Sequence, residues 1–211
     1  MSVYYKYSTM SEVNIGIDVA GCVLAGGKSR RMGTDKALLT LGGKTLIAAA
    51  LEGFSGFREI LISAGDAERY ALFGIPVIVD ETPGIGPLGG FTSVLKAAES
   101  GFVCFRPVDT PFVPPELHRL VSLGCAGRDA AVPIFQNKTE PLLACFSKTA
   151  LTVLEGLAES GFLKASEVFS MLDTEYIALE TPEILARLGD PAAYLANAND
   201  PETFQTFERR F

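Results

Sequence analysis

Short apolar runs alternate with helix-period segments along most of this chain, and that alternation restricts the fold more than any other feature. Strand character is read over 20–26 (AGCVLAG), 59–64 (EILISA), 76–80 (PVIVD), 102–109 (FVCFRPVD), 129–135 (DAAVPIF), 141–146 (PLLACF) and 175–180 (EYIALE). Several of these runs are apolar at every position, as expected of strands covered on both faces of a parallel sheet. Helix patterns fall between and after them, over 45–54, 66–74, 89–100, 114–124, 147–160, 164–172, 181–189 and 200–210. Such an order predicts an α/β fold, a single doubly wound domain with a mostly parallel sheet. No repeat, low-complexity tract or linker divides the chain. Residues 18–211 therefore read as one domain, long enough for a full core, behind a loose N-terminal tail over 1–17.

In a sheet of this kind ligands bind beyond the carboxyl ends of the strands, where strand order reverses. The loops after residues 25, 64, 80 and 109 are the places to look. The first carries Lys28, Arg30, Arg31, Lys36 and, further on, Lys44 around one acid, Asp35, although the whole chain has a formal net charge of −7. Gly26 and Gly27 let the backbone turn and bring N–H groups toward a ligand, and Gly33 adds a second permissive point. Taken singly, these are residues of a solvated basic loop. Together, at a strand end, they predict a phosphate site, with Arg30, Arg31 and Lys36 reaching the oxygens.

Two glycine motifs compete for attention. Gly43, Lys44 and Thr45 end a nominal P-loop, but Leu38 stands where its first glycine belongs, and LTLGGKTL reads as a hairpin. GIGPLG (84–89) satisfies G-x-G-x-x-G ahead of Asp109. Yet ETP separates it from its strand, Pro87 removes an N–H, and it comes third in strand order, so a permissive substrate loop is preferred to a dinucleotide site.

Asp80 closes PVIVD and Asp109 closes FVCFRPVD, with Pro111, Pro114 and Pro115 stiffening the chain after the latter. Each alone suits a cap or turn. Ending neighbouring strands opposite a cationic loop, they suit a metal–nucleotide site, since Mg²⁺ takes one or two carboxylates plus substrate phosphates.

Bulk properties exclude other classes. An acidic chain repels polyanions, so nucleic acid is not an expected partner. No apolar run approaches the ~20 residues that span a bilayer, and the first 17 lack a signal peptide's pattern. Cys22, Cys104, Cys125 and Cys145 are scattered without a CxxC pair, predicting buried reduced thiols and a cytoplasmic location. His118, the only histidine, lies on a helix beside Arg119 and reads as a surface residue.

LAGGKSRRMGTDKALL resembles the opening motif of nucleotidyltransferases with a glycosyltransferase-A-like fold. Within that group the chain is most similar to the molybdenum cofactor guanylyltransferases, because GPLGG (86–90), PVDTPFVPPEL (107–117), EPLLACF (140–146) and NANDPETF (197–204) follow in that family's order. The resemblance covers roughly residues 20–208. It implies transfer of GMP from GTP to the terminal phosphate of molybdenum–molybdopterin, with Mg²⁺ as cofactor and pyrophosphate as the second product. Leu24, Ala25, Gly26 and Gly27 would line the guanine nucleotide, Lys36 would contact its phosphates, and Asp80 its nucleoside. Asp109 would bind Mg²⁺, and Arg31 would stabilise the leaving pyrophosphate. Gly89, Gly90 and Asn199 would lie on the acceptor side. Transient contact with molybdenum-cofactor enzymes or insertion factors is also implied. Ser63 stands where an asparagine is common, Leu163 and Lys164 where paired arginines are frequent, and Glu140 precedes Pro141 where histidine is common. A cytidylyltransferase for molybdopterin, or a sugar-phosphate nucleotidyltransferase, is the alternative of the same fold.

Overall fold

The computed structural model describes residues 18–26, 35–82, 84–161, 164–198 and 201–208. Ten strands and seven α-helices follow one another among these residues. The strands are β1 (Val19–Leu24), β2 (Thr40–Leu41), β3 (Lys44–Thr45), β4 (Glu59–Ser63) and β5 (Val77–Ile78), then β6 (Phe102–Pro107), β7 (Ala130–Phe135), β8 (Lys138–Thr139), β9 (Cys145–Ser147) and β10 (Thr174–Ala178). The helices are α1 (Leu46–Glu52), α2 (Pro87–Ala97), α3 (Pro115–Cys125), α4 (Leu151–Glu159), α5 (Pro182–Leu188), α6 (Pro191–Tyr194) and α7 (Pro201–Glu208).

The main sheet runs β10-β7-β9-β6-β1-β4-β5, with β8 paired to β7. It is mostly parallel, as expected; β9 runs antiparallel to both β6 and β7. From β1 the chain builds outward through β4 to β5, then returns to place β6 on the other side of β1. The reversal of direction falls at β1, where Leu24 lies opposite Ser63 on one side and Pro107 on the other.

Two buried layers flank this sheet. Val19 and Val23 of β1 point into one, with Leu46, Ile47 and Ala50 of α1 and Leu117 and Val121 of α3. Ala20 and Cys22 point into the other, with Leu88, Phe91, Val94 and Leu95 of α2 and Leu154 of α4. Alternate residues of each strand thus go to opposite faces, and both faces are covered, which explains why the strands are continuously apolar. Gly21 sits where Phe54, just past α1, presses on β1; a Cβ there would fall 2.2 Å from Phe54 Cγ.

Several expected elements are shorter or wound differently. PVIVD yields two residues of strand, β5, at one edge of the sheet. Pro141 begins a 3₁₀ turn through Leu143, so the strand expected over 141–146 starts at Cys145. The segments over 66–74 and 164–172 wind as 3₁₀ helices, Glu68–Phe73 and Ala165–Met171. LTLGGKTL forms the β2–β3 hairpin as expected, with Gly42 and Gly43 at positive φ. A second hairpin, β7–β8, turns on Gln136 and Asn137, both at positive φ without a glycine to mark it.

His118 corrects an expectation. It is buried, with its ring 4.6 Å from that of Phe54, because the α3 face bearing Leu117 and Val121 turns it inward too. All four cysteines are free and buried, as expected. Among the described residues no helix is long and apolar enough to cross a membrane.

Candidate active site

The site is built where β1, β4 and β6 end side by side. Main-chain bonds tie the three tips together: Val108 N donates to Leu24 O (3.1 Å), and Ala25 N and Gly26 N both donate to Ser63 O (2.8 and 3.1 Å). The Gly26 N–H, expected to face a ligand, is therefore spent on β4. Among the described residues, apart from its chain neighbours, a Cβ at Gly26 would meet no atom closer than 3.9 Å, so no clash with them requires a glycine here. Gly27 and Arg31, with Lys28, Arg30 and Gly33, fall outside the described residues.

Lys36 opens a single 3₁₀ turn, Lys36–Leu38, capped by Asp35, whose Oδ1 accepts from Ala37 N at 3.1 Å. That cap is itself held. Asp35 Oδ2 accepts from the Tyr70 hydroxyl at 2.9 Å and from Arg69 Nη1 at 3.2 Å, and the same hydroxyl lies 3.4 Å from Ala25 O. Tyr70 thus bridges the β1 tip to the point where the chain re-enters before Lys36. Burial, then the bond to Asp35, pushes the Tyr70 phenol pKa upward, so it remains a donor. No motif marks Tyr70; the only sequence signal is a tyrosine in an otherwise amphipathic segment.

From that turn Lys36 reaches Asp109. Its Nζ stands 3.0 Å from Asp109 Oδ2, with the lysine side chain 11% and the aspartate side chain 24% exposed. Seventy-three residues of sequence separate the two. The other carboxylate oxygen, Oδ1, is buried and has no hydrogen-bond partner among the described residues. The Asp109 carbonyl accepts from Ala198 N at 2.8 Å, and Phe112 packs edge-on against Phe207 of α7 at 4.8 Å. The C-terminal segment therefore braces the loop that carries Asp109. Asn199, next after Ala198, falls outside the described residues.

Asp80 occupies a different part of the crevice. Sheet order puts β4 and β1 between β5 and β6, so Asp80 and Asp109 do not end neighbouring strands as expected. Three strand spacings separate their strands, about 14 Å. Asp80 lies against the first turn of α2, where Gly89 and Gly90 leave room for it. A Cβ on Gly89 would be 3.4 Å from Asp80 Oδ2, and one on Gly90 would be 3.5 Å from Asp80 Oδ1 and 3.1 Å from Ser63 Oγ. Packing thus accounts for both glycines. Burial raises the Asp80 carboxyl pKa above its usual range.

Whether these residues suit Mg²⁺ can be judged from Asp109. An ion that keeps several waters and takes most of its protein anchorage from one or two carboxylates needs a carboxylate oxygen not already bonded. Oδ1 of Asp109 is unbonded among the described residues but buried, so the side chain would have to turn to present it to a hydrated ion. Among the described residues no group of three or more histidines, cysteines or carboxylates could hold a metal without help from a substrate. A metal here would take one carboxylate from the protein and its remaining ligands from phosphates and water.

Of the other positions singled out by motif, Lys164 pairs with Glu167 at 2.8 Å on the surface, and Leu163 falls outside the described residues. GIGPLG is not a strand-end turn; Gly86 caps α2 at φ 67° and Pro87 supplies its first residue. Glu140 is half-buried, and burial raises its carboxyl pKa.

A mostly parallel sheet with a lysine–aspartate pair at its switch point suits a nucleotidyltransferase. Known proteins bear this out. A family model described as the MobA-like NTP transferase domain matches residues 21–174, and the chain belongs to that family. It is 32% identical over 188 residues to a probable molybdenum cofactor guanylyltransferase of Pelotomaculum thermopropionicum, spanning 88% of this chain and 89% of that one. A molybdenum cofactor guanylyltransferase of Mesorhizobium japonicum is 46% identical over 120 residues, 53% of this chain and 57% of its own length. In three dimensions the chain resembles molybdopterin-guanine dinucleotide biosynthesis protein A from Archaeoglobus fulgidus, at TM-score 0.76 and 27% identity, covering 90% of this chain and 97% of that one. CMP:2-keto-3-deoxy-manno-octonic acid synthetase, at TM-score 0.67 and 12% identity, shares the fold over 92% of this chain and 98% of its own.

Proposed function

We propose that this protein transfers GMP from GTP to the terminal phosphate of molybdenum–molybdopterin, releasing pyrophosphate and forming the guanine dinucleotide cofactor. The observation that carries the reading is the 3.0 Å approach of Lys36 to Asp109 at the switch point of the sheet. The names of relatives that align over nearly the whole chain, a molybdenum cofactor guanylyltransferase and a molybdopterin-guanine dinucleotide biosynthesis protein, support a guanylyl donor and a molybdopterin acceptor.

The acceptor phosphate is already an anion at neutral pH, so no general base is required. One of its oxygens forms a bond to the α-phosphorus of GTP as the bond from that phosphorus to the α–β bridging oxygen breaks. The electron pair leaves with pyrophosphate. What the protein must do is hold the two phosphates in line and offset the charge that develops between them. Lys36, on its capped turn, contacts the phosphates; Arg31 assists at the leaving group; Asp109 anchors Mg²⁺. When bound, that ion supplies Lewis-acid neutralisation of the phosphate oxygens. Leu24, Ala25, Gly26 and Gly27 lie along the nucleotide, and Asp80, three strands from Asp109, receives the nucleoside end. Asn199 belongs to the acceptor side. Four buried, unpaired thiols support work in the reducing cytoplasm, with delivery of the product to molybdenum enzymes or their insertion factors.

A nucleotide panel with molybdopterin as acceptor tests this. GTP with Mg²⁺ should give dinucleotide and pyrophosphate, and Lys36→Ala should abolish GTP binding. Equal use of CTP, or transfer to a sugar phosphate instead, would replace the guanylyl reading with one of its relatives.

A further inference from the structure

Among the described residues Arg106 is the largest fully buried side chain, 1% exposed, on the strand that ends at the site. A buried guanidinium normally lies against a carboxylate, because taking its charge out of water is costly otherwise. Arg106 has no ion pair among the described residues, and its Nε is buried without a partner. Burial lowers its pKa to about 10, which still leaves it charged at neutral pH. A cation placed so expensively should have a specific task.

Its donors show the task. Arg106 Nη2 bonds to the carbonyl of Thr110 at 2.7 Å and to that of Pro111 at 3.3 Å. These are the two residues that follow Asp109. Thr110 is buried, and its hydroxyl donates back to Pro107 O at 3.0 Å, closing the turn around Asp109 from the other side. Pro111 has no N–H to anchor this stretch through the main chain, so its carbonyl is the remaining handle. Room for the guanidinium comes from Gly53 at the end of α1, where a Cβ would fall 2.3 Å from Arg106 Nη1.

We infer that Arg106 is a positioning residue: from beneath the loop, it holds the Thr110 and Pro111 carbonyls and so fixes the direction of the Asp109 carboxylate toward Lys36. The inference rests on Asp109 acting in nucleotidyl transfer, and its test has one arm that does not.

The first arm compares hydrogen exchange over 107–113 in the ligand-free full chain, for wild type, Arg106→Met and Arg106→Lys. Exchange there should be about tenfold faster in the methionine variant, with β1 and β4 protected as before; the lysine variant, which keeps one donor, should lie between. The second arm measures transfer against Mg²⁺ concentration. In Arg106→Met the maximal rate should fall about 10- to 100-fold and the half-saturating Mg²⁺ rise severalfold, while KM for GTP at saturating Mg²⁺ stays within about twofold. Gly53→Ala, which pushes the guanidinium aside without removing it, should shift both readouts the same way and serves if Arg106→Met does not fold. A folded Arg106→Met or Gly53→Ala with wild-type exchange over 107–113 and an unchanged Mg²⁺ curve overturns the inference. Should wild type itself transfer no nucleotide, the proposed function falls and the exchange arm alone decides for or against Arg106.

Discussion

The hydroxyl of Tyr70 donates to Asp35 at 2.9 Å, and Asp35 caps the turn from which Lys36 reaches Asp109. A residue outside every motif thus sets the position of one within the best of them. Tyr70→Phe removes that donor and keeps the ring. We expect about 1 kcal/mol of lost stability, read by denaturant unfolding. Weaker GTP binding should accompany it. Unchanged GTP affinity in the folded variant would show that the Asp35 cap holds Lys36 without Tyr70.

Lys36 and Asp109 should be separable by what each variant still binds. Asp109→Ala is expected to abolish pyrophosphate release while circular dichroism reports a folded protein. Lys36→Ala is expected to lose GTP binding and, with it, detectable transfer. Normal turnover by Asp109→Ala would remove its metal role.

His118 gives the fold an acid sensitivity. Burial, with Arg106 and Arg119 nearby, holds its pKa well below the usual histidine value. Both ring nitrogens are buried without partners among the described residues. In the unfolded chain the ring takes a proton as pH falls through about 6.5, and in the folded chain it does not. The unfolded state therefore binds more protons, and stability should decline as pH drops below about 6.5. His118→Phe should flatten that decline between about pH 7 and pH 5, followed by thermal unfolding. An identical slope in both proteins would place the titration elsewhere.

Gly21→Ala should be costly although alanine is compatible with a strand. Its methyl would fall 2.2 Å from Phe54 Cγ, and overpacking of this kind costs about 1–3 kcal/mol or more. Phe54→Ala in the same chain, which removes the ring and its Cγ, should make the combined loss smaller than the sum of the two single losses. Additive losses in the double variant would mean that the two residues do not press on one another.

Sequence alone was enough for the α/β class, the strand that opens the site, the β2–β3 hairpin and the buried thiols. Each depends on local pattern: apolar runs, turn glycines, residues a few positions apart. Lys36 and Asp109 were legible as candidates, because a cation after a glycine turn and an acid at a strand end advertise their chemistry without neighbours; the fold pairs them. The order of strands was not. Whether Asp80 and Asp109 adjoin depends on which edge of β1 each later strand joins, and only the returning crossover to β6 settled that they stand three strands apart. His118 and Arg106 were hidden for a related reason. Polar residues in a short segment carry no signal of which face they take, and packing against Phe54 and Gly53, fifty or more residues earlier, turned both inward. Chemistry that a residue carries in its own side chain is readable along the chain; its surroundings come from segments distant in sequence, and only folding brings those together.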